Sequence, residues 1–292
     1  MADATKPPWL RVRVGDQRQH DGTREILSSL GLNTVCEAAY CPNRPTCWSS
    51  GEVTFMILGD ICTRSCGFCG VRSSRRGLEV EDDEGDRILA AVRSLGLVHV
   101  VLTSVTRDDL EDGGASHFAR VIGTIREGAP GATVEVLVPD LAREHLRTVL
   151  GADPHVIGHN VEVVQSLQGK VRDPRAGYGK SLEVLRTSKE INPDVLTKSS
   201  LMIGLGESRE DIIATMQDLL GAGVDILTIG QYIRPPGGRS EVARYVPPGE
   251  FRYLRNTGEE MGFRAVVSGP FVRSSYRAGE AMNLARSRVR QS

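Results

Sequence analysis

Six cysteines, the chain's whole complement, fall within 34 consecutive residues and form two triplets. Cys36, Cys41 and Cys47 are spaced C-x4-C-x5-C, and Cys62, Cys66 and Cys69 are spaced C-x3-C-x2-C. Three thiolates hold three irons of a 4Fe–4S cube and leave the fourth iron free for another ligand or a substrate. Two triplets therefore point to two clusters, each one cysteine short. A structural zinc site would want four ligands, usually as two close pairs, and only Cys66 and Cys69 have that spacing. A disulfide framework belongs to short secreted chains, whereas this one has 292 residues and opens on Met-Ala-Asp-Ala-Thr-Lys with no apolar signal stretch. A dithiol redox pair at Cys66 and Cys69 would leave four cysteines idle.

Bulk properties narrow the setting. At 40% hydrophobic and 25% charged, the composition is that of an ordinary soluble globular protein. Its 36 basic and 37 acidic residues leave a net charge of −1, so neither nucleic acid nor an anionic membrane is an expected partner. No apolar run approaches the roughly 18–20 residues of a membrane span. Free thiols suit a reducing compartment, which makes a cytoplasmic location the expectation.

The cysteines need a frame. From residue 53 onward, short β-branched runs appear at 54–58, 98–103, 133–138, 155–157, 195–203, 225–229 and 264–267. Helix-like stretches lie between them, near 83–95, 115–128, 141–150, 180–190, 209–221 and 249–260. Ile88, Ala91, Val92 and Leu95 fall on one helical face, as do Ile212, Met216, Leu219 and Leu220. Gly96, Gly151 and Gly223 follow helix ends, where a left-handed cap favours glycine. Alternating βα units imply a parallel sheet with helices outside. Six units before a last strand are too few for a closed eight-fold barrel. The expected fold class is therefore α/β, a partial, open (β/α)6 barrel over 53–267. Residues 1–52 read as an irregular N-terminal extension with one helix near 21–31, and 268–292 as a short basic C-terminal arm. Functional residues of such folds sit at the C-terminal ends of strands. The 62–69 loop obeys that rule, leaving the 54–58 strand through Gly59-Asp60.

C-x3-C-x2-C in the loop after the first barrel strand, with Phe68 before the last cysteine, resembles the signature of the radical S-adenosylmethionine (SAM) superfamily. Other segments narrow the resemblance to the lipoyl synthase family. They are Lys6-Pro7-Pro8-Trp9-Leu10, Cys36-Glu37, Cys41-Pro42-Asn43, Cys47-Trp48, Gly59-Asp60-Ile61-Cys62-Thr63-Arg64, Thr103-Ser104-Val105, Arg107-Asp108-Asp109-Leu110, Gly204-Leu205-Gly206-Glu207 and Arg273-Ser274-Ser275-Tyr276. The resemblance implies insertion of two sulfur atoms at carbons six and eight of a protein-bound octanoyl-lysine, with two SAM molecules used per product. It implies a SAM-binding 4Fe–4S cluster on Cys62, Cys66 and Cys69, whose bare iron the methionyl group of SAM chelates. It also implies an auxiliary 4Fe–4S cluster on Cys36, Cys41 and Cys47 that gives up its sulfides. Ser274 is the implied fourth ligand there, with Ser275 as the alternative. The implied partners are octanoylated lipoyl domains of 2-oxoacid dehydrogenases or the glycine-cleavage H protein. A ferredoxin or flavodoxin would act as reductant, and an iron–sulfur carrier would rebuild the auxiliary cluster.

Further contacts come from the same resemblance. Gly113-Gly114 is similar to the backbone edge that binds the methionyl amine of SAM. Glu135 is a candidate for the ribose hydroxyls, Asn160 for SAM, and Lys198 for the SAM or substrate region. Arg273 is expected to hold Ser274 or to neutralise the auxiliary cluster. Each has a plainer reading as a Gly-Gly turn, an isolated strand carboxylate, a barrel-end lysine or an arm that merely covers the barrel. The chain departs from the family pattern at Pro45, Thr106 and Ser200, and in the loop Arg234-Pro235-Pro236-Gly237-Gly238-Arg239.

Overall fold

A computed structural model describes residues 6–12 and 15–289 of the chain; the segment up to Thr5, on which the expectation about a signal stretch falls, lies outside them. The β-branched runs become strands because such side chains pack well on a pleated surface. In chain order these are β1 Thr54–Ile57, β2 Ile61–Cys62, β3 Arg72–Ser73, β4 His99–Ser104, β5 Thr133–Leu137, β6 Val156–Gly158, β7 Leu196–Ile203, β8 Ile226–Gln231 and β9 Ala265–Gly269. Seven of them form one sheet in the order β1-β4-β5-β6-β7-β8-β9, and every pair is parallel. Among the described residues β9 does not pair with β1, so the barrel stays open. The remaining two strands make a short parallel ribbon, with Cys62 opposite Ser73.

Helices cover the outside. Glu84–Leu95 and Ala115–Gly128 lie side by side, and Ile88, Ala91 and Val92 are buried as their spacing predicts. Ser208 and Asp211 close a capping box at the start of Arg209–Gly221, which satisfies amide groups the helix itself cannot. Gly96 and Gly223 take the left-handed conformation that the sequence predicts, with φ of 62° and 82°. Gly151 does not: it is the last residue of Arg143–Gly151, and Asp153 makes the left-handed turn at φ 57°.

Two features close the ends of the open barrel. The first residues of β6, β7, β8 and β9, namely Val156, Leu196, Ile226 and Ala265, pack against Ala281, Met282 and Ala285. These three belong to a helix, Ala278–Val289, that plugs the N-terminal end of the barrel. The sequence reading has only an arm there, because glycines and serines precede the helix and its apolar face is narrow. On the β1 side, Thr34 bridges Phe55 in antiparallel fashion, and Met56 N–H donates to Asn33 O at 2.9 Å. The arm then crosses this open side. Asn43 Nδ2 donates to Phe271 O at 2.6 Å across 228 residues of sequence. Gly230 on β8 makes room for it, since a Cβ there would lie 2.0 Å from Val272 O. Gly230→Ala therefore forces the arm off its seat. It should destabilise the protein by about 2 kcal/mol, the usual scale of overpacking, read as a lowered urea midpoint with an unchanged m-value.

Candidate functional site

The first triplet to place is the one after β1. Leu58 leaves that strand at φ 67° and Gly59 follows at φ 83°. A bulky residue in this region is strained and needs holding. Glu84 accepts from Leu58 N–H at 3.1 Å, and Arg107 Nη1 donates to Leu58 O at 3.1 Å. Both are buried. The chain then runs over the C-terminal ends of the strands, where the loop is braced from several sides. Thr63 Oγ1 donates to Thr106 O at 2.9 Å. Arg64 spans Asp108 at 2.9 Å and Asp140. Asp173 accepts from Ser65 N–H at 2.9 Å and is held by Arg175 Nε at 2.9 Å. From the far side of the barrel, Arg239 and Ser240 donate their backbone N–H groups to Gly67 O at 2.7 and 2.9 Å. Arg239 also donates through its guanidinium to Ser65 O. Phe68 packs against the core formed by β7, β8 and their helices.

The second triplet lies beside the first. Cys36 starts its series in the short helix Val35–Ala38, which Thr34 caps, and Cys47 sits in Arg44–Ser49. All six cysteines are free thiols. Burial pushes Cys36 up to about 11, with Cys41 beside it adding to the effect. Burial likewise raises Cys69 to about 12 and lifts Cys66. Cys47 rises through burial and through the Glu52 carboxylate hydrogen-bonded to it. Arg273 is partly buried near Cys41; burial depresses its guanidinium and the adjacent thiolate favours it.

Do these residues suit iron–sulfur clusters? Several donors point at sulfur. Asp173 N–H reaches Cys66 Sγ at 3.3 Å and Arg64 N–H reaches Cys62 Sγ at 3.4 Å. The Trp48 indole N–H is buried with no oxygen or nitrogen acceptor and lies against Cys36. N–H groups aimed at thiolates are one of the levers a protein has on such a cluster. The donor set therefore fits. Among the described residues no three His, Cys, Asp or Glu side chains converge as a single-ion site would need.

A cavity of about 270 Å³ is walled by neighbours of both triplets: Glu37 and Ala38 follow Cys36, Tyr40 precedes Cys41 and Gly70 follows Cys69, with Asp60 and Arg72 beside them. A narrower one, about 40 Å³, lies deeper in the barrel. It brings together Glu135, Asn160, Lys198, Ser274 and Ser275, with Val35 next to Cys36 in its wall. Lys198 Nζ donates to Glu135 Oε1 at 2.7 Å, and both side chains are almost wholly buried. Burial would raise the Glu135 carboxyl, but Lys198 and His99 hold it below the usual range. Asn160 Nδ2 donates to Glu162 Oε1 at 3.0 Å. Gly114 backs onto the turn after β1, where a Cβ would lie 2.3 Å from Leu58 Cδ1, whereas a Cβ on Gly113 would lie 2.9 Å from Leu141 Cδ2.

Sequence reasoning missed Glu162, Asp140, Asp173 and Arg239. Glu162 stands at φ 66°, and burial keeps its carboxyl above the usual range while its charge faces Cys66 and Cys69. Asp140 is pushed up by burial but held well below the usual range by His159 and Arg64. Asp140 and Glu162 lie just beyond β5 and β6, so for them the rule about C-terminal strand ends was a usable signal; Asp173, after the helix Gln168–Val171, and Arg239, in the loop past β8, carry no such signal.

Comparison with known proteins agrees with this geometry. The family model of the radical SAM superfamily matches residues 56–219. A lipoyl synthase from Thermus thermophilus is 50% identical over 278 residues, covering 94% of this chain and 86% of the relative. One from Rubrobacter xylanophilus is 51% identical over 283 residues, covering 96% and 88%. Among solved structures, the FeFe-hydrogenase maturase of Carboxydothermus hydrogenoformans superposes with a TM-score of 0.57 at 13% identity, covering 94% of this chain and 80% of that one. Methylornithine synthase gives 0.56 at 12% identity, covering 91% and 75%. At such identities these two speak to the fold alone.

The raised thiols make a prediction for the cluster-free protein. Moving Cys36 from 9.0 to about 11 leaves on the order of a hundredfold less thiolate at pH 8. Alkylation of Cys36 should lag a free-cysteine peptide by that factor, with the site followed by peptide mapping. The stabilising contribution is full below pH 9.0 and is lost as pH rises through about 11, so the cluster-free fold should melt lower at pH 10.5 than at pH 8.

Proposed function

The chain belongs to the lipoyl synthase family of the radical SAM superfamily, and from that premise we propose how its residues share out the work. The enzyme inserts two sulfur atoms at carbons six and eight of a protein-bound octanoyl-lysine, using SAM and 4Fe–4S clusters. When bound, one cluster supplies the electron that opens the sulfonium of SAM, and the other supplies sulfur.

Cys62, Cys66 and Cys69 hold the SAM-binding cluster, and the N–H groups of Arg64 and Asp173 stabilise two of the thiolates. Cys36, Cys41, Cys47 and Ser274 hold the auxiliary cluster, with the Arg273 cation offsetting its negative charge. Gly113 and Gly114 present backbone to the methionyl end of SAM. Phe68 wedges the cysteine loop against the core, while Glu135, Asn160 and Lys198 line the floor on which SAM and the acyl chain rest. The 1–52 extension brings the sulfur source, 53–267 the radical machinery, and 268–292 the closing serine. What supports this reading above all is the cavity of about 270 Å³ whose wall is shared by the neighbours of both triplets, Glu37 and Ala38 after Cys36 and Gly70 after Cys69. An alkyl radical reacts with whatever is nearest, so its sulfur source has to be within contact distance already.

The carrier is a lipoyl domain or the H protein, the electrons come from a ferredoxin or flavodoxin, and an iron–sulfur carrier restores the auxiliary cluster. With six free thiols the enzyme suits the reducing cytoplasm. No helix among the described residues is long and apolar enough to cross a membrane.

The test is mass spectrometry of an octanoyl-lysyl peptide incubated anaerobically with the cluster-loaded protein, SAM and a strong reductant. The expected product carries two added sulfurs; deoxyadenosine with an unaltered peptide would refute the substrate. Cys62→Ala should abolish SAM cleavage. Cys36→Ala should keep cleavage measurable yet give no sulfur insertion, and lipoyl product at the wild-type level from that variant would overturn the sulfur assignment. Ser274→Ala should lower insertion more than cleavage, seen as a higher ratio of deoxyadenosine to product.

A further inference from the structure

The mouth of the inter-cluster cavity has a composition that neither the cluster sites nor SAM accounts for. Arg72 lines that cavity, its side chain is 70% exposed, and it pairs with Asp60. Arg75 and Arg76 follow it along the surface. Both are exposed, and among the described residues neither makes a hydrogen bond or an ion pair. Arg239 is exposed too, and its guanidinium donates to the neutral carbonyl of Ser65, so its charge is not cancelled. Opposite them stands Tyr40, 58% exposed and held at φ 52°. Its ring would lie 3.2 Å from a Cβ on Gly70, which ties this rim to the cysteine loop. Nearby acids are mostly engaged elsewhere: Glu37 in the cavity wall pairs with Arg44 and Glu241 with Arg234, Glu81 and Asp83 hold Arg87, and Asp82 holds Arg120. Glu79 is the exposed exception. A local positive rim on a chain of net charge −1 is a directed feature rather than a bulk one. Tyrosine and arginine are also the residue types enriched where protein partners bind.

The reaction says which partner must come here. An octanoyl-lysine arm reaches only roughly 14 Å from its backbone to carbon six when fully extended. For that carbon to lie between the triplets, the body of the carrier has to rest on the rim. We propose that Tyr40, Arg72, Arg75, Arg76 and Arg239 form the docking face for the carrier protein, and that the carrier meets it with an acidic surface beside the modified lysine. This rests on the sulfur-insertion reading above. Charges on such a rim chiefly govern encounter and salt dependence rather than the chemical step.

The experiment compares two substrates under a chemical reductant, dithionite: an octanoylated lipoyl domain and a short octanoyl-lysyl peptide. For the Arg75→Glu/Arg76→Glu double variant, KM for the domain should rise roughly tenfold while turnover of the peptide is unchanged. The wild-type KM for the domain should climb with added salt, and that for the peptide should not. Peptide turnover doubles as the control for folding and cluster loading. A KM for the domain that ignores both the substitutions and salt would overturn the proposal. So would a variant whose only defect appears when a protein reductant replaces dithionite, because the rim would then serve the electron donor. Failure of the wild-type protein on both substrates would instead refute the reading on which the proposal rests.

Discussion

The turn at Leu58 is the constraint on which the rest of the site depends. A parallel strand would carry its chain straight out of the sheet; the left-handed step at Leu58 and Gly59 bends it across the barrel mouth instead. Such a step is costly for leucine, by about 1–3 kcal/mol, and the fold offsets it with two buried charged groups. Glu84 takes the Leu58 N–H and Arg107 the Leu58 carbonyl. Those residues are themselves secured, Glu84 by His117 at 2.6 Å and Arg107 by Asp109 at 2.9 Å. The position of three cysteines thus follows from buried polar contacts that contain none of them.

Inside the barrel a second pairing sets the character of the floor. Lys198 and Glu135 are too deeply buried to be solvated separately, and removing either would strand a charge in a poor dielectric. Together they present a polar surface of small net charge beneath the arm that carries Ser274 and Ser275. The lumen is therefore neither a hydrocarbon core nor a water channel. It is a polar seat at the inner end of the cavity.

Much of this was legible in the residues, and for identifiable reasons. The parallel strands showed because each is an apolar or β-branched run bounded by glycine or a charged turn, as at Val156–Gly158. The cysteine triplets showed because metal-ligand spacing is local along the chain. What stayed hidden depends on distance in sequence. Glu135 looked like a solitary carboxylate, since nothing in its neighbourhood announces Lys198, 63 residues on. The bracing of the cysteine loop by Asp173 and Arg239 spans more than a hundred residues and leaves no local pattern. The helix Ala278–Val289 escaped for another reason. Its buried face is built mainly of alanines, which carry little hydrophobic signal yet suit close packing against strand ends.

The clasp between Asn43 and Phe271 joins segments 228 residues apart, and this bears on the order of events during synthesis. A ribosome delivers Cys36, Cys41 and Cys47 more than two hundred residues before the arm. The loop around Cys62 needs only the strands and helices that follow it, whereas the neighbourhood of the other triplet stays unfinished until the arm has been made. The two sites consequently ripen at different times. A polypeptide abandoned before Phe271 would lack the clasp and the plug together, and would show that deficit at Cys36, Cys41 and Cys47.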